Sequence, residues 1–357
     1  MTDDTGMLEH SLGRIPRRQE GYSTDDNARA LWLCAVLGQY GVVEPFQEQL
    51  LPLCHRYLAF LLWAQTSDGR FRNNVNYNRT WEKEEFSEDC QGRSLWSLVM
   101  VLTRFRNSGE DRVAAVMLEK GLKPVANFHY LRGNAWALAS MSLLLLHLRG
   151  TDNFDPETKS LLQYSTATHL PKLTEKLEEQ LLSAYNRIAS PQWSWFEPML
   201  TYGNGVLPWS LLGSYQVTGH QEALEVGLSS LRFLLKQSTA PAGHIRPIGN
   251  RGWRTLQFGA VWDQQPLDVF KLALAAAKAY ELTHDMDWWA VVDRCQQWFY
   301  GENDLGLPLA NPTDGSCSDG LTDSGISLNR GAESTLAYLL TEALVVSLRV
   351  HAEAVRQ

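Results

Sequence analysis

The chain has 357 residues, 44% hydrophobic and 20% charged, which is the balance of an ordinary globular protein. Forty acidic residues against 32 basic ones leave a formal charge of −8, so neither nucleic acid nor an anionic membrane surface is an expected partner. The five cysteines (Cys34, Cys54, Cys90, Cys295, Cys317) are scattered and form no CxxC pair, so no zinc site, disulfide framework, metal or other cofactor is expected.

The first residues, Met1 to Gly21, contain neither the apolar stretch nor the small-residue cleavage site of an export signal. No apolar run is long enough to span a bilayer, and the cytoplasm is the expected compartment. Asn78-Arg79-Thr80 matches a glycosylation acceptor, which matters only with export. Thirteen tryptophans and twelve tyrosines suit a large core or flat platforms for sugar rings, and composition leaves both readings open.

Six segments along the chain share one pattern, a polar turn followed by an apolar helix. The first is Ser23-Thr24-Asp25-Asp26-Asn27-Ala28-Arg29, leading into the apolar run 31–37. The second, from Ser87, repeats it: Asp89 and Arg93 match Asp25 and Arg29, and Leu95-Trp96 matches Leu31-Trp32. The others start at Leu131, Tyr202, Trp262 and Asn329. These helices are apolar nearly all round, which predicts burial. Between them, charged faces predict amphipathic helices over roughly 45–64, 111–126, 173–188, 220–236 and 286–300. Residues 70–77 and 243–248 read as short hairpins in loops.

Buried helices alternating with amphipathic ones predict an all-α fold, an (α/α)6 barrel forming a single domain over residues 1–357. The N-terminal ends of its six inner helices open on one shared face. Only five outer helices are legible. The sixth outer position is expected to be covered by residues 1–20, by a partner, or by nothing.

The candidate chemistry sits at these helix starts. Asp25 and Asp26 follow Ser23-Thr24, and Glu88 and Asp89 repeat the arrangement with Arg93, as Arg29 follows Asp25. Acids in a first turn also complement the helix dipole, and an Asp–Arg pair four residues apart is ordinary helix chemistry. On a helix buried all round, a charge pair needs a polar cavity or a structural network. Glu197 lies in the aromatic loop Trp193-Ser194-Trp195-Phe196-Glu197-Pro198, where a carboxyl tends toward the raised pKa of a general acid, or caps the next helix. Asp263 stands beside Gln264 and Gln265, a donor and acceptor set suited to sugar hydroxyls, and Pro266 fits the first turn of a helix. Glu333 lies near the start of the sixth inner helix, and Asp319 lies in a Gly-rich loop that lacks the lysine of a phosphate-binding loop. His10, His244 and His284 read as surface or loop residues, and neither HExxH nor GxSxG occurs.

The segments 2–10, 21–30, 87–93, 195–208, 263–266 and 329–335, in this order, resemble a bacterial six-hairpin family of glycoside-hydrolase-like proteins. Members of that family occur alone or behind a glycosyltransferase domain, often under the transferase's name. The resemblance implies the (α/α)6 fold, carbohydrate as substrate, and a glycosyltransferase as possible partner; a second copy of the chain is the other partner expected. This chain departs from the family pattern at Tyr202-Gly203-Asn204-Gly205, where an Asp or Ala and an Arg are more usual. It has no nucleotide-sugar-binding Rossmann unit of its own.

The expected function is glycoside hydrolysis by paired carboxyls, with Glu197 as acid, Asp26 or Asp89 as base, and Asp263 positioning sugar or water. Asp25, Arg29, Glu88, Arg93, Trp195, Tyr202, Gln264, Gln265, Asp319 and Glu333 are expected substrate contacts. Two alternatives stand beside it. One is a sugar epimerase or a polysaccharide lyase, the lyase supported by Arg29, Arg93, Arg132, Arg246 and Arg330. The other is a non-catalytic glycan-binding partner of a glycosyltransferase.

Overall fold

The computed structural model describes residues 1–39, 47–83, 85–106, 108–150, 154–162 and 169–356. Among them lie twelve α-helices: α1 Thr24–Gln39, α2 Gln47–Ala64, α3 Glu88–Arg104, α4 Glu110–Gly121, α5 Leu131–Arg149, α6 Pro156–Leu161, α7 His169–Ile188, α8 Val206–Thr218, α9 Gln221–Gln237, α10 Pro266–Thr283, α11 Met286–Phe299 and α12 Ala332–Arg356. All six expected apolar helices form (α1, α3, α5, α8, α10, α12), and so do the five amphipathic ones (α2, α4, α7, α9, α11). The expected start of α2 at residues 45–46 lies outside the described residues. The short α6 was not foreseen; Asp155 caps it by accepting the Glu157 and Thr158 N–H groups. Among the described residues no helix is long and apolar enough to cross a membrane.

The chain divides into two compact units. One comprises Met1–His10, Pro16–Gln180 and Gln216–Gly219; the other comprises Ser11–Ile15, Leu181–Tyr215 and His220–Gln357. In the first unit, α3 packs on α1, α4 and α5, and α1 also packs on α2. Every residue of α3 from Cys90 to Thr103 is buried, as its apolar circumference predicts. In α4 burial is a stripe, Asp111, Ala114, Ala115, Met117, Leu118 and Gly121, which is one face of a 3.6-residue period. Three buried indoles join α1, α3 and α5: Trp32 meets Trp96 and Trp136 edge-on, with centroids 5.6 and 6.1 Å away. The α3–α5 contact depends on two glycines. A Cβ on Gly92 would lie 2.5 Å from Trp136 Cβ, and one on Gly133 would lie 2.5 Å from Glu88 Cβ.

In the second unit, α10 packs on α9, α11 and α12. Residues Pro266 to Ala277 of α10 are all buried, while α9 buries only the stripe Ala223, Val226, Gly227, Ser230, Leu231 and Leu234. Pro266 opens α10, where its missing N–H is no loss, and His284 closes it in a left-handed conformation. Among the described residues, extended structure is confined to isolated bridges and two-residue pairings such as Tyr22–Ser23 with Asn74–Val75, Ala310–Asn311 with Ser316–Cys317, and Leu321–Thr322 with Gly325–Ile326. The loop expected at 70–77 contributes the first of these. The one at 243–248 closes through Thr239 and Ile245.

Candidate active site

In the first unit the starts of α1 and α3 meet around two buried guanidinium groups. Ser23 precedes α1; its hydroxyl accepts the Asp26 N–H at 3.1 Å and donates to Asp26 Oδ2 at 2.8 Å. Arg29, one turn on, donates to Asp26 Oδ1 at 2.9 Å. Arg93 of α3 reaches both helix starts, with Nε 3.1 Å from Asp25 Oδ1 and Nη2 2.9 Å from Asp89 Oδ2. The side chains of Arg29 and Arg93 are 5% and 8% exposed, so these are desolvated charge-assisted contacts. The expected grouping of Asp25, Asp26, Arg29, Asp89 and Arg93 is thus one cluster.

Glu88 departs from the expectation. Its carboxylate accepts the backbone N–H groups of His129 at 2.9 Å and Tyr130 at 2.8 Å, at the start of α5. That helix has no side-chain cap of its own. Glu88 thus anchors the two residues that lead into α5 and places a charge favourable to its dipole, so its carboxylate is engaged in structure. Gln91 is structural in the same way, bonded to Phe71 N, Gly69 O and Gly121 O.

The residue missed in this cluster is Glu9. The segment before α1 runs antiparallel to Tyr22, with Leu8 bridging Tyr22 and Glu9 N–H donating to Gly21 O at 3.1 Å. Asp3 holds this segment by accepting the Tyr22 hydroxyl at 2.6 Å, and Asn27 of α1 accepts the Met7 N–H at 2.9 Å. Burial, then the carboxylates of Asp26, Glu82, Asp25 and Glu20, push the pKa of Glu9 up to about 7. The physical cause is an imbalance: Asp25, Asp26 and Asp89 already answer the two arginines, and Glu9 adds another carboxyl. Glu9 falls in the 2–10 motif, but nothing in that stretch indicates which later segment it will lie beside.

In the second unit the expected residues are spread over different jobs. Asp263 is held by Arg251, whose Nη2 lies 3.2 Å from Oδ1, while the same guanidinium reaches Asp323 at 3.0 Å. Gln264 is fully buried and pairs its backbone with Leu321. Its side chain donates to Asp304 at 2.6 Å and accepts from Trp298 at 3.3 Å. Its 0% exposure and these two bonds commit it within the fold, away from solvent, which departs from its expected role as a substrate contact. Asp304, also missed, collects Arg246, His244 and Gln264; burial alone would raise its carboxyl, but these hydrogen bonds hold it below the usual range. Arg246 and His244 are thereby explained as structural. Gln265 is the half-exposed residue before α10 and makes no side-chain cap.

Asp319 is a structural tether. Its carboxylate accepts from the Asn329 amide and the Gly331 N–H, fixing the entry to α12, where Glu333 lies half-buried in the first turn. Trp195 is fully buried, edge-on to Phe196 at 5.2 Å and near Phe233, so no ring face is open to a sugar. Glu197 is half-buried, and its carbonyl accepts the Trp193 indole N–H at 2.7 Å. Tyr202 is 39% exposed. The turn after it explains the unusual Gly-Asn-Gly: Gly203 has φ +62° and its Cβ would lie 2.7 Å from Lys271 Nζ, while a Cβ on Gly205 would lie 2.2 Å from Lys271 O. Asp268 accepts the Gly203 N–H at 2.7 Å. No larger residue fits against α10 there.

No protein-family model matches the sequence, and no curated protein matches it. Solved structures do match the fold. A cellobiose 2-epimerase from Bacillus thermoamylovorans B4167 superposes with a TM-score of 0.70 at 11% identity, covering 96% of this chain and 93% of that one. A D-mannose isomerase gives 0.69 at 11% identity, covering 98% and 93%. A GH76 α-mannanase from Bacteroides thetaiotaomicron gives 0.61 at 9% identity, covering 92% and 88%. These proteins belong to the (α/α)6 glycoside-hydrolase-like superfamily, and at these identities the likeness is one of fold.

Proposed function

From the (α/α)6 barrel fold of this chain, we propose that it is a carbohydrate-active enzyme, a glycoside hydrolase working by carboxyl acid and base. The observation that carries this reading is a proton-holding carboxyl beside a charge-paired one in the first unit. Glu9 carries a proton up to about pH 7, beside Asp26, a carboxylate that accepts from Ser23 and Arg29. Groups whose environments push them apart in this way are the usual sign of an acid and a base. In this reading Glu9 donates a proton to the glycosidic oxygen. Asp26 removes a proton from the attacking water or attacks the anomeric carbon itself. Asp25 and Asp89, fixed by Arg93, accept from sugar hydroxyls.

Glu197 is the competing assignment for the acid, and Asp263 is proposed as a positioning carboxylate; Glu197→Gln and Asp263→Asn test each separately. Five free cysteines, all buried, fit a cytoplasmic setting. A second reading, 2-epimerisation or aldose–ketose isomerisation, is favoured by the near full-length likeness to the cellobiose 2-epimerase and the D-mannose isomerase.

The deciding experiment incubates the protein in D2O with matched gluco- and manno-oligosaccharides and follows the products by chromatography and mass. Hydrolysis shortens the chain and creates a new reducing end. Epimerisation or isomerisation keeps the length and, by proton exchange, places deuterium on the sugar. Shortened products support the hydrolase; unshortened, deuterated products replace it with the second reading. Tight binding with neither product would leave a glycan-binding module.

A further inference from the structure

The loop after Gly249 holds two arginines in opposite states. Arg251 is doubly engaged by Asp263 and Asp323. Arg254, three residues on, makes no side-chain hydrogen bond or ion pair among the described residues, and its Nε is shut off from solvent. Burial pushes its pKa below the usual arginine value. Its two Nη groups are not shut off in this way, so the fork has donors left for water or for a ligand's acceptor.

The surroundings hold that guanidinium in place. Arg254 is the middle of two backbone pairings. It exchanges both hydrogen bonds with Leu200, at 2.8 and 3.1 Å, and bridges Gly259 on the other side. Its side chain lies across Gly259, where a Cβ would come within 2.1 Å of Nη1. The loop is braced by Thr255 N–H to Phe258 O at 2.7 Å and Ala260 N–H to Trp253 O at 2.8 Å. The same loop leaves two apolar side chains exposed, Leu256 at 57% and Phe258 at 55%. A pyranose ring offers C–H groups to such a surface, and a carboxylate on that ring matches the planar fork of arginine. A phosphate, with nearly two charges, would call for more than one cation, and Arg251 is already taken.

We propose that Arg254 is a recognition point for an acidic sugar, its unpaired guanidinium receiving the carboxylate of a uronate residue whose ring packs on Phe258 and Leu256. This names a substrate class for the carbohydrate reading above and rests on it. The loop is built before the ligand arrives, so little ordering is needed on binding.

Calorimetric titration with matched pairs tests it: trigalacturonate against its methyl ester, and cellobiouronic acid against cellobiose. The wild-type protein is expected to bind at least one acid about tenfold or more tightly than its neutral partner. That ratio should fall toward one in Arg254→Gln, be intermediate in Arg254→Lys, and shrink as salt rises. Gly259→Ala, which displaces the guanidinium without removing its charge, should lower the ratio too. Thermal melts of each variant separate loss of the fold from loss of recognition. A wild-type ratio near one, or a ratio unchanged in Arg254→Gln, overturns the proposal. If neutral sugars bind and acids bind no better, the acidic-sugar inference falls and the carbohydrate reading stands. If no sugar of either kind binds, both fall.

Discussion

Glu88 and Asp89 are neighbours in sequence, both acidic and both in the first turn of α3, yet they serve different ends. Glu88 accepts the N–H groups of His129 and Tyr130 just before α5, whereas Asp89 answers Arg93. Sequence cannot separate them, because the difference lies in which later helix arrives opposite each side chain. Glu9 gives the sharpest consequence at this scale. Its folded pKa, about 7, stands above the ordinary 4.5. The stability linked to its proton is therefore fully present below about pH 4.5 and lost as pH rises through 7. We expect Glu9→Gln to be more stable than wild type at pH 8, on the order of 1–2 kcal/mol after solvent screening, and to differ much less at pH 5. Thermal melts of both proteins across that range check it; equal pH dependence would show that Glu9 carries no such proton.

At the scale of elements, two contrasts did most of the predicting. Helices apolar all round became α1, α3, α5, α8, α10 and α12. Helices with one charged face became the partners that bury a stripe, as α9 and α4 show. Apart from the extended run at 70–77, the two-residue strand pairs were not legible, since a period of two needs more residues than they have. The oddity at Tyr202-Gly203-Asn204-Gly205 was visible, but its cause, Lys271 lying against both glycines, was not. The same holds for Gly92 and Gly133, which let α3 and α5 approach. Gly133→Ala places a Cβ 2.5 Å from Glu88 Cβ and disturbs the Glu88 anchor of the residues before α5 as well. It should destabilise by about 1–3 kcal/mol despite the better helix propensity of alanine. Urea denaturation measures this, and a stabilised Gly133→Ala would mean that the helices sit less closely than described.

For the whole molecule, the two units interleave in sequence: Ser11–Ile15 belongs with the second and Gln216–Gly219 with the first. We propose on that ground that the chain unfolds as one cooperative domain, with matching calorimetric and van't Hoff enthalpies; two resolved transitions would contradict it. The fold class was legible because six repeats of one local pattern specify it many times over. The site was legible only in part. The Asp25, Asp26, Arg29, Asp89 and Arg93 cluster was named in advance, but Glu9, Asp304 and Arg254 acquire their states from residues distant in sequence. Glycoside hydrolysis with Glu9 as acid is the claim on which the functional account turns. The most direct test is the initial rate of reducing-end release from an oligosaccharide substrate, measured from pH 4 to 9 for wild type and Glu9→Gln. The wild-type rate is expected to fall as pH rises through about 7, and the variant to lose roughly 10²–10⁴-fold. A variant that keeps the wild-type rate and its alkaline limb would contradict it.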